Sequence, residues 1–404
     1  MKRCYESIIE EHFLQNRQML FLVGPRQVGK TTTSLEVASP RPNTFYLSWD
    51  SQEDRRLILK GPDTVATALE LQTLKLEEGV SFVIFDELHK YRKWKTFLKG
   101  FFDKHSKKVQ ILVTGSARLD VYKAGGDSLM GRYFLYRLHP LSVAEILSPP
   151  LRNTELGPPK EIEEKLLQTL LQFGGFPEPF LKQDPFFYSK WNRLRMHQLF
   201  VEDLRDLTKI QDFGSMEVLA ELLQHQAGKL TTYSSLANKI NVSVDTVKRW
   251  TKILKSFYYC FTIPPWTKNV TRSLIKEPKV FLWDWSLVED PGARIENFIA
   301  SHLLKAVHFW TDRGFGEYGL YFLRDKEKRE VDFLVSKNKK PWFLVEVKKS
   351  ESKGLSKSLY YFQEMTKAPH AFQVAFDLDY VDKDCFSVTE PVIVPAKTFL
   401  SQLI

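Results

Sequence analysis

The segment Phe21-Leu22-Val23-Gly24-Pro25-Arg26-Gln27-Val28-Gly29-Lys30-Thr31-Thr32 constrains the fold most, because an apolar run enters a GxxxxGK[ST] loop and leaves it into a helix-forming stretch. With the run Met19 to Val23 before it and Thr32 to Ala38 after it, this is the strand–loop–helix of a nucleoside triphosphate site. Gly24 and Gly29 let the backbone through Pro25, Arg26, Gln27 and Val28 wrap a polyphosphate with its N–H groups inward. Lys30 neutralises the β and γ phosphates, the Thr31 hydroxyl suits Mg²⁺, and Thr32 lies in the first helical turn. ATP and Mg²⁺ are the expected cofactors.

A strand from Thr44 to Trp49, ending at Asp50, precedes a helix over Gln52 to Leu59, and a third strand, Val80 to Phe85, ends in Asp86-Glu87. An acidic pair there completes an ATPase site, with Asp86 on Mg²⁺ through its water shell and Glu87 polarising the attacking water. By itself such a pair also suits a helix start. A basic, aromatic helix over Lys90 to His105 leads to a strand, Val109 to Val113, that delivers Thr114-Gly115-Ser116-Ala117-Arg118. Ser116 or Thr114 is the candidate sensor of the γ-phosphate. Arg132, in preference to Arg118, is the candidate to reach a neighbouring subunit's nucleotide in a homo-oligomer with ATP at its interfaces. Alternating strands and helices imply a parallel sheet covered on both faces, with ligands at the carboxyl ends of the strands.

Composition sets outer bounds. A chain of 404 residues implies two to four domains, and 43% hydrophobic residues excludes a disordered protein. The opening Met-Lys-Arg-Cys-Tyr-Glu carries charges where a secretory signal is apolar, and no run approaches the roughly 20 apolar residues of a membrane helix. A cytoplasmic protein with no membrane partner is expected. Cys4, Cys260 and Cys385 are too scattered for a disulfide framework or a zinc site. The formal charge of +9 favours a polyanionic partner, and DNA is the expected one.

The blocks GPRQVGKTT, FVIFDELHK, VTGSAR and GRYFLYRLHPLSVAEIL resemble a prokaryotic AAA+ ATPase family whose members carry a C-terminal domain of unknown function with a restriction-endonuclease-like core. FGGFPEPF, KEPKVFLWDWSL, ARIENFIASHLL and EVDFLV with FLVEVKKS extend the resemblance over nearly the whole chain. At Trp285-Ser286 the family more often has a small residue and glycine, which implies a less sharply turned path here.

A Pro-rich stretch from Pro149 to Pro159 reads as a linker, followed by helical periodicity in Glu161 to Leu171, a turn at Gly174-Gly175-Phe176-Pro177, and a solvated helix over Tyr188 to Thr208 forming a lid or bridge. Tyr233 to Ile240, Asn241-Val242 and a helix capped by Ser243 read as helix-turn-helix. Leu236, Ile240, Val242, Val247, Trp250 and Leu254 supply its core. Thr246, Lys248, Arg249 and Lys252 suit phosphate and major-groove contact, and Tyr258 to Ile263 with Lys279 to Trp283 supply a wing. Such modules also mediate protein contacts.

In Glu330 to Val335 and Phe343 to Lys348, period-two alternation puts Asp332 on one strand, and Glu346 with Lys348 on the other, on one sheet face, the D-x(n)-ExK arrangement of PD-(D/E)XK nucleases. Carboxylates there hold a divalent metal and the lysine orients a water; Glu296 joins from an upstream helix and Glu330 shares the face of Asp332. The bland alternative is an exposed hairpin of alternating charges. The expected fold class is α/β: an AAA+ P-loop parallel-sheet domain (1–148), a helical connector or lid (149–215), a winged helix-turn-helix (216–287) and a restriction-endonuclease-like α/β domain (288–404). The expected function is ATP hydrolysis coupled to DNA and a metal-dependent nuclease-like domain; the rival is an ATP-gated regulator or scaffold whose nuclease-like domain is inactive.

Overall fold

Strands β1 (Met19–Val23), β2 (Thr44–Ser48), β3 (Ser81–Asp86), β4 (Val109–Gly115) and β5 (Tyr133–Arg137) pair throughout in parallel, in the order β2-β3-β4-β1-β5. Every residue of β1 and β3 is buried, which is why both read as unbroken apolar runs rather than alternating ones. Neighbouring side chains of β3 still point to opposite faces. Phe82 meets Phe13 of the helix Cys4–Gln15 edge-on (5.4 Å), whereas Phe85 meets Phe97 (5.5 Å) and Phe101 (5.4 Å) of the helix Trp94–His105. The expected helix from Lys90 starts only at Trp94, because Glu87 takes a left-handed φ of 53° and a short 3₁₀ turn, Leu88–Lys90, intervenes.

The computed structural model describes residues 1–71, 80–116, 129–147, 151–204, 212–267, 277–350 and 354–404. They form two units, Met1–His139 and Pro140–Ile404. The second unit thus begins at Pro140, and residues 140–145 are tied to it by local contacts. In the second unit Lys305, on the long helix Pro291–Asp312, donates to Pro140 O (3.1 Å) and forms a buried ion pair with Glu145. Val143 N donates to His302 Nε2 (3.1 Å), and burial pushes His302 down to about 3, so its ring stays a neutral acceptor. Residues 151–159 are likewise no free linker: Gly157 N donates to Gln402 O (2.9 Å), Trp310 Nε1 to Glu155 O (2.7 Å) and the Tyr318 hydroxyl to Glu155 Oε1 (2.7 Å).

Helices Glu164–Phe173, Pro177–Lys182 and Pro185–His197 follow. The last is not simply solvated, since Arg195 is buried over the Phe176 ring (3.8 Å) and paired with Asp284 (2.7 Å). Gly174, at φ +79°, is needed because a Cβ there would stand 2.6 Å from Asp284 Oδ1. At Trp285-Ser286, where a less sharply turned path is expected, the chain forms a 3₁₀ turn, Trp285–Leu287, capped by Asp284.

Helices Tyr233–Ile240 and Val244–Ser256 are joined through Asn241 in the left-handed conformation, and strands β6 (Cys260–Ile263) and β7 (Lys279–Leu282) pair antiparallel beside them. A mixed sheet closes the unit in the order β12-β11-β10-β9-β8, from β8 (Tyr318–Arg324), β9 (Glu330–Lys337), β10 (Lys340–Lys348), β11 (His370–Ala375) and β12 (Val392–Pro395). Its β8-β9-β10 pairings are antiparallel, and β10-β11-β12 parallel. Among the described residues no helix is long and apolar enough to cross a membrane.

Candidate functional site

Because β4 lies between β1 and β3, the carboxyl ends of three parallel strands bring the Gly24–Thr32 loop, Asp86-Glu87 and Thr114-Gly115-Ser116 to one sheet edge. The loop is tight: Gln27 and Gly29 have φ of 61° and 101°, and a Cβ on Gly24 would lie 2.3 Å from Leu138 O. Gly29 caps the helix Lys30–Ala38, whose first turn holds Lys30, Thr31 and Thr32, and a helix N-terminus of this kind suits an anion. Lys30 is buried and donates to the loop carbonyls of Gly24 (3.0 Å) and Pro25 (2.7 Å).

The Asp86 carboxylate accepts from three hydroxyls, those of Thr31 (3.0 Å), Tyr46 (2.6 Å) and Thr114. Burial, reinforced by Asp86, holds the Tyr46 phenol well above its usual range, so it remains a donor. A Thr31 hydroxyl against an Asp carboxylate suits Mg²⁺, which takes few protein oxygens and keeps its other positions for phosphate and water. Glu87 Oε2 lies 3.6 Å from both His89 Nε2 and Lys90 Nζ, and has no hydrogen-bond partner among the described residues. Ser116 Oγ stands 3.1 Å from the same His89 nitrogen, and Lys90 also holds Asp50 (2.7 Å). Sequence reasoning passed over His89, Tyr46 and Arg3. The last is buried and clamps Val28 O (2.8 Å) and His139 O (2.6 Å), with no local pattern to announce it.

Arg132 immediately precedes β5, and its carbonyl accepts from Met19 N at the amino end of β1, so it lies at the sheet edge opposite the loop. Its guanidinium makes a two-pronged pair with Asp103 (2.7 and 3.0 Å). Arg118 lies outside the described residues.

In the helix-turn-helix, Ser243 Oγ accepts from Thr246 N (3.1 Å), as a cap should. Leu236, Ile240, Val247, Trp250 and Leu254 are buried with Val242 packed against them, which leaves Lys248, Arg249 and Lys252 exposed and Thr246 half-buried.

The register that pairs Val345 with Phe333 continues to set Glu346 opposite Asp332, on one face with Glu330 and Lys348. Asp332 Oδ2 accepts from Val347 N (2.8 Å), and Lys348 donates to Glu346 Oε1 (2.7 Å). Into this face comes a residue that sequence reasoning placed only in the wing. Lys279 Nζ lies 2.6 Å from Glu330, 3.1 Å from Glu296 and 3.7 Å from Asp332, while Arg324 holds Glu330 from the other side (3.0 Å). Four carboxylates thus share three cationic side chains. Burial, with Asp332 adding to it, pushes Glu296 up to about 8 and Glu346 up to about 7. Burial opposes the charge of Lys279, but Glu296, Asp332 and Glu330 outweigh it and keep the ammonium.

Oxygen donors and an unbonded, buried Glu346 Oε2 are what a divalent ion would want. The arrangement nevertheless does not fit one. Among the described residues no three His, Cys, Asp or Glu side chains stand together in a way that could hold a metal, and an ammonium lies among these carboxylates.

Residues 16–147 match the family model of an AAA domain, residues 164–290 a domain of unknown function (DUF8612), and residues 291–390 another (DUF4143). An uncharacterized protein of Mycobacterium tuberculosis is 22% identical over 361 residues, 86% of this chain and 74% of that protein. One from Methanocaldococcus jannaschii is 24% identical over 328 residues, 78% and 71% of the two chains. AMPPCP-bound DnaA from Aquifex aeolicus aligns with 62% of this chain and 86% of its own at a TM-score of 0.33 and 13% identity, too low to add to the fold. The parallel five-stranded sheet and the matched model define an AAA-domain protein, and an AAA domain implies nucleotide binding at a P-loop, usually with Mg²⁺. That domain is followed by DUF8612 and DUF4143.

Proposed function

We propose that the protein binds and hydrolyses ATP and couples its nucleotide state to DNA held by the helix-turn-helix. The observation that carries the reading is the meeting of Thr31, Asp86, Glu87 and Ser116 at the carboxyl edge of one parallel sheet, beside a buried lysine and a helix N-terminus. The loop N–H groups and Lys30 bind the phosphates. Thr31 and Asp86 would hold Mg²⁺, which when bound offsets charge on the phosphates. Glu87, with an oxygen left unbonded, accepts the proton of the attacking water, and His89 holds Glu87 and Ser116 in common reach. Phosphate release by the full chain, with and without duplex DNA, tests this reading. No ATP turnover in either condition would sink it.

DNA as partner is supported by exposed Lys248, Arg249 and Lys252 on the second helix of the turn motif and by the positive net charge. Assembly into an oligomer through Arg132 is the weaker part of the proposal, since that side chain is engaged by Asp103. For the C-terminal sheet the Lys279 ion network favours the rival reading, a nuclease-like core that serves as a binding platform without cleaving. Plasmid incubated with Mg²⁺ or Mn²⁺ separates the two: cleavage lost in Asp332→Ala would restore the metal-dependent nuclease.

A further inference from the structure

Three observations in the second unit bear on what the acidic cluster binds. Lys279 is 3% exposed, and its ammonium reaches three carboxylates on two elements: Glu296 on the long helix, and Glu330 and Asp332 on β9. Its backbone is pinned on both sides, by a bridge to Leu230 and by pairing with Ile263, so the β6–β7 hairpin beside the helix-turn-helix sets where the charge goes. Glu346, 8% exposed and within the same charge network, gives one oxygen to Lys348 and, among the described residues, has no hydrogen-bond partner for the other.

A divalent ion needs carboxylate oxygens at about 2.0–2.6 Å. An ammonium 2.6 to 3.7 Å from three of the same groups occupies the space where their charge is strongest, and repels a second cation. We infer that Lys279 is a resident counter-cation: its ammonium takes the place among the carboxylates of Glu296, Glu330 and Asp332 that a divalent metal would need, and so keeps the metal out. The inference rests on reading the cluster as a cation site, and it is independent of whether the site cleaves anything.

Mn²⁺ alone, titrated calorimetrically into the nucleotide-free full chain, tests it. Lys279→Met keeps the stem and removes the charge, and is expected to bind Mn²⁺ at least about tenfold more tightly than the natural protein, a low floor for removing a unit charge beside a divalent ion. Adding Asp332→Asn to it should abolish the gain. If Lys279→Met fails to fold by circular dichroism, Lys279→Gln, which retains a donor for Glu330, is measured to the same standard. Equal or weaker Mn²⁺ binding by the folded variant overturns the inference. Plasmid cleavage by the same variant is read separately: tighter Mn²⁺ without cleavage upholds the counter-cation and rejects the nuclease.

Discussion

Lys30 and Lys279 are both buried lysines surrounded by oxygen, yet the oxygens differ in kind. Lys30 donates to the backbone carbonyls of Gly24 and Pro25, which solvate an ammonium as dipoles without cancelling its charge. Lys279 donates to carboxylates, which cancel it. The first pair of contacts is dipolar and lies at a helix N-terminus that suits an anion; the second closes a charge network upon itself. Identity and burial of a lysine therefore say little about its use, and the charge of its acceptors says a great deal.

The largest effect expected is at Glu87. Glu87→Gln should keep ATP affinity while turnover falls by about 10²–10⁴-fold, the usual contribution of a positioned base. Single-turnover phosphate release measures this, and turnover at the natural rate would remove Glu87 from the chemistry. Next comes Lys279. Lys279→Met leaves partly buried carboxylates without their counter-ion and should lower stability by up to about 3 kcal/mol, the low end for a broken buried pair because those carboxylates retain some water. Chemical denaturation followed by probes in each unit would detect it, and no loss would mean the carboxylates are satisfied without Lys279.

Lys30→Ala inverts that pattern. Removing an ammonium that donates to the Gly24 and Pro25 carbonyls should cost the nucleotide-free protein less stability than removing one bonded to carboxylates, but ATP affinity should fall by about 2 kcal/mol or more, the worth of hydrogen bonds to a charged group. Equilibrium binding of a fluorescent ATP analogue reads the loss. If Lys30→Ala unfolds the domain as readily as Lys279→Met destabilises its own, the contrast between the two lysines collapses.

How much of this was legible in the sequence follows from how local each determinant is. The loop from Gly24 to Thr32 is contiguous, and strand, glycines, lysine and helix each follow from neighbours in the chain. The helix-turn-helix is equally local, and Asn241 and Ser243 mark its turn and cap. Asp332 and Glu346 were placed on one face by alternation, since a period of two fixes direction once strands pair. Lys279 escaped because nothing in Pro278-Lys279-Val280 says that β7 will lie against Glu296 and β9. The same holds for Arg3 on Val28, for Lys305 on Glu145 and for Asp103 on Arg132: each joins residues far apart in sequence, and charge complementarity alone has too many solutions to choose among. The reading of Pro149 to Pro159 as a linker missed, for a related reason, that Glu155 and Gly157 are hydrogen-bonded within the second unit. Proline and polar residues predict irregular backbone, and irregular backbone can still be tied down, here by Gln402, Trp310 and Tyr318.

The smallest effect expected tests whether exposed lysines, unlike both buried ones, meet an outside polyanion. Lys248 and Arg249 are exposed on the helix Val244–Ser256, while Val247 and Trp250 between and beside them are buried, so charge can be changed there without disturbing the core. Each phosphate contact releases condensed counter-ions, so the plot of log affinity against log salt loses about one unit of slope per contact removed. Lys248→Glu with Arg249→Glu should therefore weaken duplex binding most at low salt and flatten the slope by about two units, with ATP turnover in the absence of DNA unchanged. A slope identical to that of the natural protein would mean the duplex is held elsewhere. A slope flattened only in the presence of ATP would instead show that the nucleotide state decides whether this helix engages the backbone, and would tie the charge exposed here to the site that holds Lys30.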